Sequence, residues 1–331
     1  MSSRNNDNIR FSVIIPTFNR SEILRQAVEA LCNQEEPGCA YEIVVADNDS
    51  TDNTREIVEE LARQCNVPIR YVVEKQRGSA FARNAGFKVG MGEILGLIDD
   101  DVIVDSTWVK NIVKVYDNPE VSCAGGKLTV KWINGSPPKW IEPFRGVLGE
   151  IDLGDEPGEI PYPQTIVAGN FSIRKDILLK VGGYNPCNAS TDVPIGDGES
   201  GLCQKVYDSG GHIYWVPEAT ALHLQDSTRV TPRFMWRRGK FQGMSSAYTI
   251  YRRARGNLFK VSKDVCRDTI HRMRRIFFTV TMLRHRKSWG AGINKLFWEF
   301  QYFPGMYLYL FKIYTDKQLR ELVTRDDWIN D

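Results

Sequence analysis

Histidine is scarce in this chain, four among 331 residues, and the seven cysteines (positions 32, 39, 65, 123, 187, 203 and 266) include no C-x-x-C. An odd, scattered set excludes a zinc cluster, argues against a disulfide framework and predicts a reducing, cytoplasmic setting. Long apolar runs are missing too. The richest, 276–283 and 306–314, fall well short of the roughly 20 residues that span a bilayer. No apolar leader opens the chain, and the polar segment 1–8 is expected to be disordered. Gly and Pro, 27 and 15, are near average, there is no internal repeat, and 42% of residues are apolar. That excludes collagen-like and disordered chains. Neither G-x-x-x-x-G-K-[ST] nor a G-x-G-x-x-G after a strand occurs, so no backbone cradle for phosphates is expected.

Net charge is also small, +2, but it is unevenly distributed. Residues 1–228 carry 21 basic and 33 acidic side chains, whereas 229–331 carry 22 and 8. From Ser227 to Lys263 there are ten Lys/Arg and no acid. Such a tail suits a polyanionic partner. No nucleic-acid recognition motif accompanies it, so nucleic acid is not the expected partner.

From Phe11 onward, short β-branched runs (11–15, 42–46, 69–73, 94–98) alternate with helical patterns, the first opening at Ser21. Nearly continuous apolar strands joined by helices predict a doubly wound, mostly parallel α/β sheet. Residues 120–165, rich in Gly, Pro and Trp, read as irregular strands and long loops, and the chain beyond Thr231 as basic, aromatic helices. The expected division is an α/β domain over 9–226 and a helical region over 227–331.

In an open α/β sheet ligands bind beyond the carboxyl ends of the strands. The residues there are Thr17, Asn19 and Arg20; then Asp47, Asn48 and Asp49; then 76–78; then Asp99, Asp100 and Asp101. Carboxylates at i and i+2 on an extended segment project to one side, which suits a hard cation bridging to diphosphate oxygens. Three adjacent carboxylates at a strand end otherwise require a compensating base. A solvated turn, or a cap for the 108–116 helix, is the plainer alternative.

Four segments in order, V-I-I-P-T-F-N-R (13–20), V-V-A-D-N-D-S-T-D-N-T (44–54), R-G-S-A-F-A-R-N-A-G (77–86) and G-L-I-D-D-D (96–101), resemble the inverting family 2 glycosyltransferases of GT-A fold. The resemblance extends to about residue 226. It implies that Pro16, Thr17 and Asn19 shape a nucleotide pocket, and that Asp47 accepts the uracil N–H, although Asp47-Asn48-Asp49 stands where the family shows Asp-Asp-Gly. It further implies that Arg83 lies near the diphosphate, with a structural salt bridge as the alternative. Asp99, Asp100 and Asp101 correspond to the D-x-D motif. Asp99 would meet ribose or metal, and Asp101, with His223, would hold Mn²⁺ or Mg²⁺. Gly169 and Asn170 resemble a turn beside the acceptor, and Gly182-Gly183-Tyr184 the family's G-G-F turn. Counting back from Leu202 puts Glu199 at the general base, with Asp197 as the fallback.

The implied reaction is transfer of a sugar from a nucleotide-sugar, UDP-linked by this reading, to a hydroxyl of a saccharide or glycolipid in surface polysaccharide synthesis. A polyprenyl-phosphate sugar synthase and an inactive GT-A binding module are the alternatives. For the tail, the resemblance suggests that an arginine among Arg229, Arg233, Arg237 and Arg238 reaches the diphosphate. Its composition fits a face toward anionic lipid, making the protein peripheral on the inner side of a membrane. Helices packed onto the core with solvated charges are the alternative.

Overall fold

The computed structural model describes residues 9–186, 196–283 and 289–330. The segment 1–8, Cys187 and the basic run 284–287 lie outside the described residues. The elements run β1 (Phe11–Thr17), α1 (Ser21–Cys32), β2 (Tyr41–Asp47), α2 (Thr54–Gln64), β3 (Ile69–Val73), α3 (Ser79–Val89), β4 (Ile94–Leu97), β5 (Val102–Val104) and α4 (Trp108–Val115). Next come β6 (Val121–Ile133), 3-10 turns over Lys139–Leu148, β7 (Gly158–Glu159), β8 (Phe171–Arg174), α5 (Lys175–Lys180), α6 (Gly198–Asp208) and β9 (His212–Asp226). Helices α7 (Pro232–Arg253), α8 (Leu258–Met282), α9 (Trp289–Thr315) and α10 (Lys317–Thr324) follow.

The strands form one sheet, ordered β3-β2-β1-β4-β8-β6-β9-β5, with β7 beside β9. The first four are mutually parallel, as the buried apolar runs predict. The sheet then departs from that pattern, because β8 enters antiparallel between β4 and β6, and β5 runs against β9. The stretch expected to be irregular contains the 13-residue β6, whose pairing with β9 slips in register twice. Gly126 sits at one slip, where any Cβ would collide with the Ala219 carbonyl. Strand alternation feeds two cores. Phe11, Val13 and Ile15 pack with Ile57, Leu61 and Trp108 on one face, and Ile14, Val44 and Ala46 with Phe87, Leu178 and Leu202 on the other.

Pro16 does not end β1, which runs on to Thr17. Ile14 faces β4, where its carbonyl accepts from Ile98, and Thr17 faces β2, accepting from Asn48. Pro16 therefore faces the β4 side beyond the last rung, where its missing N–H breaks no pair. Ser21 begins α1 but does not cap it; its hydroxyl donates to Asn53. The expectation of unpaired cysteines is also corrected, since Cys32 and Cys65 form a disulfide. They close the C-terminal ends of α1 and α2, neighbours on one face, and no sequence spacing announces that meeting. Cys39, Cys123, Cys203 and Cys266 are free.

Helices α7 and α9 cross with their backbones nearly touching. A Cβ on Gly243 would lie 2.1 Å from the Tyr302 carbonyl oxygen, and one on Gly305 2.2 Å from that of Lys240. Alanine at 243 gains helix propensity of about 1 kcal/mol but must part the helices, and such overpacking typically costs about 1–3 kcal/mol. Gly243→Ala is therefore expected to lower the urea midpoint, and an unchanged or raised midpoint would show that the helices part freely. The chain end returns to the sheet. Trp328 N–H donates to Gly182, and Ile329 is buried against Gly183.

Candidate active site

The loops after β1, β2, β3 and β4 meet at one end of the sheet, with the polar residues named above in contact. Thr17 Oγ1 donates to Asp100 Oδ2 (2.9 Å). Asn19, held at positive φ, accepts from Thr51 N–H through its side chain and donates its own N–H to Ser50 Oγ. It thereby locks loop to loop. Buried Asp47 accepts from Ser50 N–H and from the Tyr71 hydroxyl. Asn48 spends its amide on the Glu74 and Gln76 carbonyls and the Gly78 N–H. The departure from Asp-Asp-Gly thus fastens the β3–α3 loop.

The three aspartates lie on a turn rather than an extended segment, and they diverge. Asp99 accepts from Arg83 Nη2 (2.7 Å). Asp100 and Asp101 share Arg20, whose Nη1 and Nη2 donate to them at 2.6 and 2.8 Å. The compensating base that such a cluster requires is therefore present twice, as Arg20 and Arg83. Asp101 Oδ1 also stands 3.1 Å from His223 Nε2, with Gln225 Nε2 2.8 Å from the same nitrogen. Leu224 N–H donates to the Asp101 carbonyl, which fixes β9 against the turn.

Burial pushes the Asp100 carboxyl up to about 7, with the Arg20 guanidinium opposing it. Burial also works to raise Asp101, but His223 and Arg20 prevail and hold it at about 2. For His223 burial favours the neutral ring, yet the Asp101 hydrogen bond and charge raise it above its ordinary value.

Asp101 Oδ1 and His223 Nε2, a carboxylate oxygen and an imidazole nitrogen 3.1 Å apart, are of the donor types that could hold a divalent ion. Asp99 does not join them; no cluster of three or more His, Cys, Asp or Glu able to hold an ion occurs among the described residues. The resemblance gave Asp99 to ribose or metal; here it is engaged by Arg83.

Arg83 is buried on α3, and its other nitrogen, Nη1, donates to the Tyr184 hydroxyl (2.9 Å). Burial opposes its charge, but Tyr184, Asp99 and Glu199 outweigh that and raise it further. Tyr184 O–H in turn donates to Glu199 Oε2 (2.7 Å). Asp99, Arg83, Tyr184 and Glu199 thus form one hydrogen-bonded chain from the β4 turn to the first turn of α6. Tyrosine supplies the hydroxyl that a G-G-F turn would lack, and only that difference in the motif hinted at the link.

Asp197, at the N-cap of α6, is buried and engaged by Asn185 Nδ2 (2.8 Å), Thr249 Oγ1 (2.9 Å) and Arg252. It ties α6 to α7. Asn170 is displaced from its expected role. It is fully buried, accepts from Trp108 Nε1 and donates to the Lys127 and Ala219 carbonyls, so its amide is spent on the scaffold. Gly169 lies beneath Asp99, where a Cβ would press on Leu128.

Glu199 opens onto a cavity of about 610 Å³ between α6, α7 and α8. Arg238, Gln242, Ser246, Arg253 and His271 are among its lining. Of the four arginines after His223 considered above, Arg238 alone lines this cavity; Arg229, Arg233 and Arg237 line another with Trp236.

The family model described as Glycosyl transferase family 2 matches residues 12–180. A glucosyl-dolichyl phosphate glucuronosyltransferase of Haloferax volcanii is 24% identical over 248 residues, 72% of this chain and 76% of that protein. Glycosyltransferase AglE of the same organism is 32% identical over 210 residues, covering 63% of this chain but only 60% of that protein. Among solved structures, the mannosyltransferase PcManGT of Pyrobaculum calidifontis, in complex with GDP-Man and Mn²⁺, superposes with a TM-score of 0.59 at 16% identity, covering 90% of this chain and 87% of that one. That likeness concerns the fold.

Proposed function

Since the chain belongs to glycosyl transferase family 2, we propose that it transfers a sugar, with inversion, from a UDP-sugar to a hydroxyl of a lipid-linked saccharide on the cytoplasmic face of a membrane, in surface polysaccharide synthesis. The observation that carries this reading is the chain Asp99–Arg83–Tyr184–Glu199. It couples the D-x-D turn to a carboxylate at the mouth of a cavity large enough for an acceptor sugar. Names of relatives support the lipid-linked acceptor, one being a glucuronosyltransferase for glucosyl-dolichyl phosphate.

In this reading Glu199 takes the proton of the acceptor hydroxyl as its oxygen attacks the anomeric carbon. Tyr184 holds Oε2, which leaves Oε1 to face the acceptor. Arg83, fixed between Asp99 and Tyr184, keeps positive charge beside the leaving group's side of the site. Asp197, with its oxygens committed to Asn185, Thr249 and Arg252, positions α6 rather than moving the proton. One base serves a single displacement, which inverts the anomeric centre and requires no second carboxylate as nucleophile. Asp101 and His223 would hold Mn²⁺ or Mg²⁺, which when bound neutralises the diphosphate.

Melting the protein with a panel of UDP- and GDP-sugars, with and without Mn²⁺, tests the donor side. One nucleotide sugar is expected to stabilise the fold only with the metal, by about 2.7 kcal/mol at a hundred times its Kd. No shift with any donor, or shifts indifferent to chelator, would overturn the reading.

A further inference from the structure

Helix α8 carries six basic and two acidic residues in 25, and its outward side is divided lengthwise. Phe259, Cys266, Ile270, Met273, Phe277 and Val280 follow one another at steps of seven, four, three, four and three. At 100° per residue they fall within an arc of about 80°. All are exposed, Phe259 by 79% and Phe277 by 73%. Beside that stripe runs a second file, Lys260, Lys263, Arg267 and Arg274, exposed and with no acid in it. Asp264 and Asp268 stand on its inner side; Asp264 pairs with Arg267, and Asp268 accepts from Tyr302 O–H.

Helix α9 repeats the pattern. Trp289, Ile293, Phe297, Phe300, Leu308 and Phe311 form an exposed stripe, while Tyr302, Met306, Tyr309 and Ile313 of the same helix are buried. The two helices are joined antiparallel through the buried Arg272–Glu299 pair (2.8 Å). At the outer edge of their seam, Thr269 Oγ1 meets Tyr307 Oη at 2.8 Å. Thr269 flanks the α8 stripe and Tyr307 flanks the α9 stripe, so the two stripes adjoin as one apolar face. Eleven large apolar side chains exposed on one face exceed what a soluble surface ordinarily leaves contiguous. Yet no described helix is long and apolar enough to cross a membrane.

We infer that the α8–α9 face lies in the plane of an anionic lipid bilayer, its aromatic side chains at the boundary between headgroups and acyl chains and its lysine–arginine file on the lipid phosphates. An apolar stripe bordered by cations is the complement of such a surface. The placement also joins this face to the site. Arg253 and Arg267 line both the Glu199 cavity and an adjoining one of about 440 Å³ that Lys260 and Lys263 share. A docked chain therefore opens its acceptor cavity at headgroup height. This last step rests on the function proposed above, but docking is read with no sugar present, so either can fail alone.

The test is co-sedimentation of the full chain with vesicles of phosphatidylcholine, alone or mixed with phosphatidylglycerol. Binding is expected to the mixed vesicles and to weaken with salt. The triple variant Phe259→Ser, Phe277→Ser, Phe300→Ser should reduce the partition at least about tenfold. Lys263→Glu with Arg274→Glu should erase the preference for anionic lipid. Because these side chains are exposed, the variants should melt as the parent does. As a check that keeps the aromatic and basic side chains of the face, an environment-sensitive dye on Cys266, with Cys39 and Cys187 replaced by serine, should shift to the blue on mixed vesicles. Absence of binding to them, or binding undiminished in the triple variant, would overturn the inference. So would conversion of a dimer to a monomer by that variant in light scattering, which would show that a second copy covers the face.

Discussion

Glu199→Gln is expected to lower turnover by about two to four orders of magnitude, the usual contribution of a positioned general base, while nucleotide-sugar affinity stays within about twofold. Glutamine matches the shape and can still accept from Tyr184, but its amide cannot take a proton from the acceptor. Because Glu199 stands at the start of α6 and reaches Arg83 only through Tyr184, the proposed donor pocket should not register the change. Tyr184→Phe gives a graded companion. It keeps the ring beneath Arg83, whose guanidinium carbon lies 5.0 Å from the ring centroid, but removes the hydroxyl from Glu199. A fall in kcat of about tenfold is expected, the equivalent of one hydrogen bond to a charged group. Single-turnover transfer and donor titration together read both variants. Normal turnover in Glu199→Gln would remove Glu199 from the role, and loss of donor binding would mean that its part is structural.

What could be read from the chain beforehand follows its physics. Central parallel strands are buried on both faces, so β1, β2 and β4 appear as nearly continuous apolar runs, while the edge strand β3 is only partly buried, and the loops that follow such strands are the expected binding edge. That Thr17 and Asp100 meet at that end of the sheet was therefore legible, and the resemblance set His223 beside Asp101, where the structure has it. The antiparallel β8 was not, because four residues in an antiparallel strand carry no signal of their direction. Nor was the fate of Asn170 or Asp197. A polar side chain in a motif reads the same whether its partners are a ligand or three groups of the scaffold, and those partners come from residues as distant as Trp108, Ala219 and Arg252. The link from Arg83 through Tyr184 to Glu199 spans over a hundred residues, and only the closed sheet brings it together. The α7–α9 crossing was missed for a related reason. Gly239 and Gly243 are four apart in a helical pattern, yet glycine reads locally as a weak point and its use appears only against the partner backbone.

The second large effect is expected at Asp101. Asp101→Ala should weaken Mn²⁺-dependent UDP binding by more than about a hundredfold, the upper end of what even an outer-sphere partner of a metal ligand contributes. Metal-independent binding should change little. The argument rests on what surrounds this carboxylate. Asp101 holds His223 through one oxygen and Arg20 through the other. Without it, His223 loses the charge that raises its pKa, and burial then favours the neutral ring. A neutral imidazole remains a competent ligand, so the loss should trace to the missing carboxylate oxygen and not to a charged histidine. Arg20 meanwhile keeps Asp100 (2.6 Å), which prevents the turn from losing both its ionic ties. The depressed Asp101 pKa means that its ionic contribution to stability is present above about pH 4 and lost as pH falls through about 2. A metal titration near neutral pH is thus unaffected by it. Calorimetry of UDP with and without Mn²⁺, on the parent, Asp101→Ala and Asp100→Asn, separates the alternatives. If metal-dependent binding survives in Asp101→Ala but falls in Asp100→Asn, the ion sits on the Thr17 side of the turn, and the Asp101–His223 contact is only an ion pair that closes β9 against it.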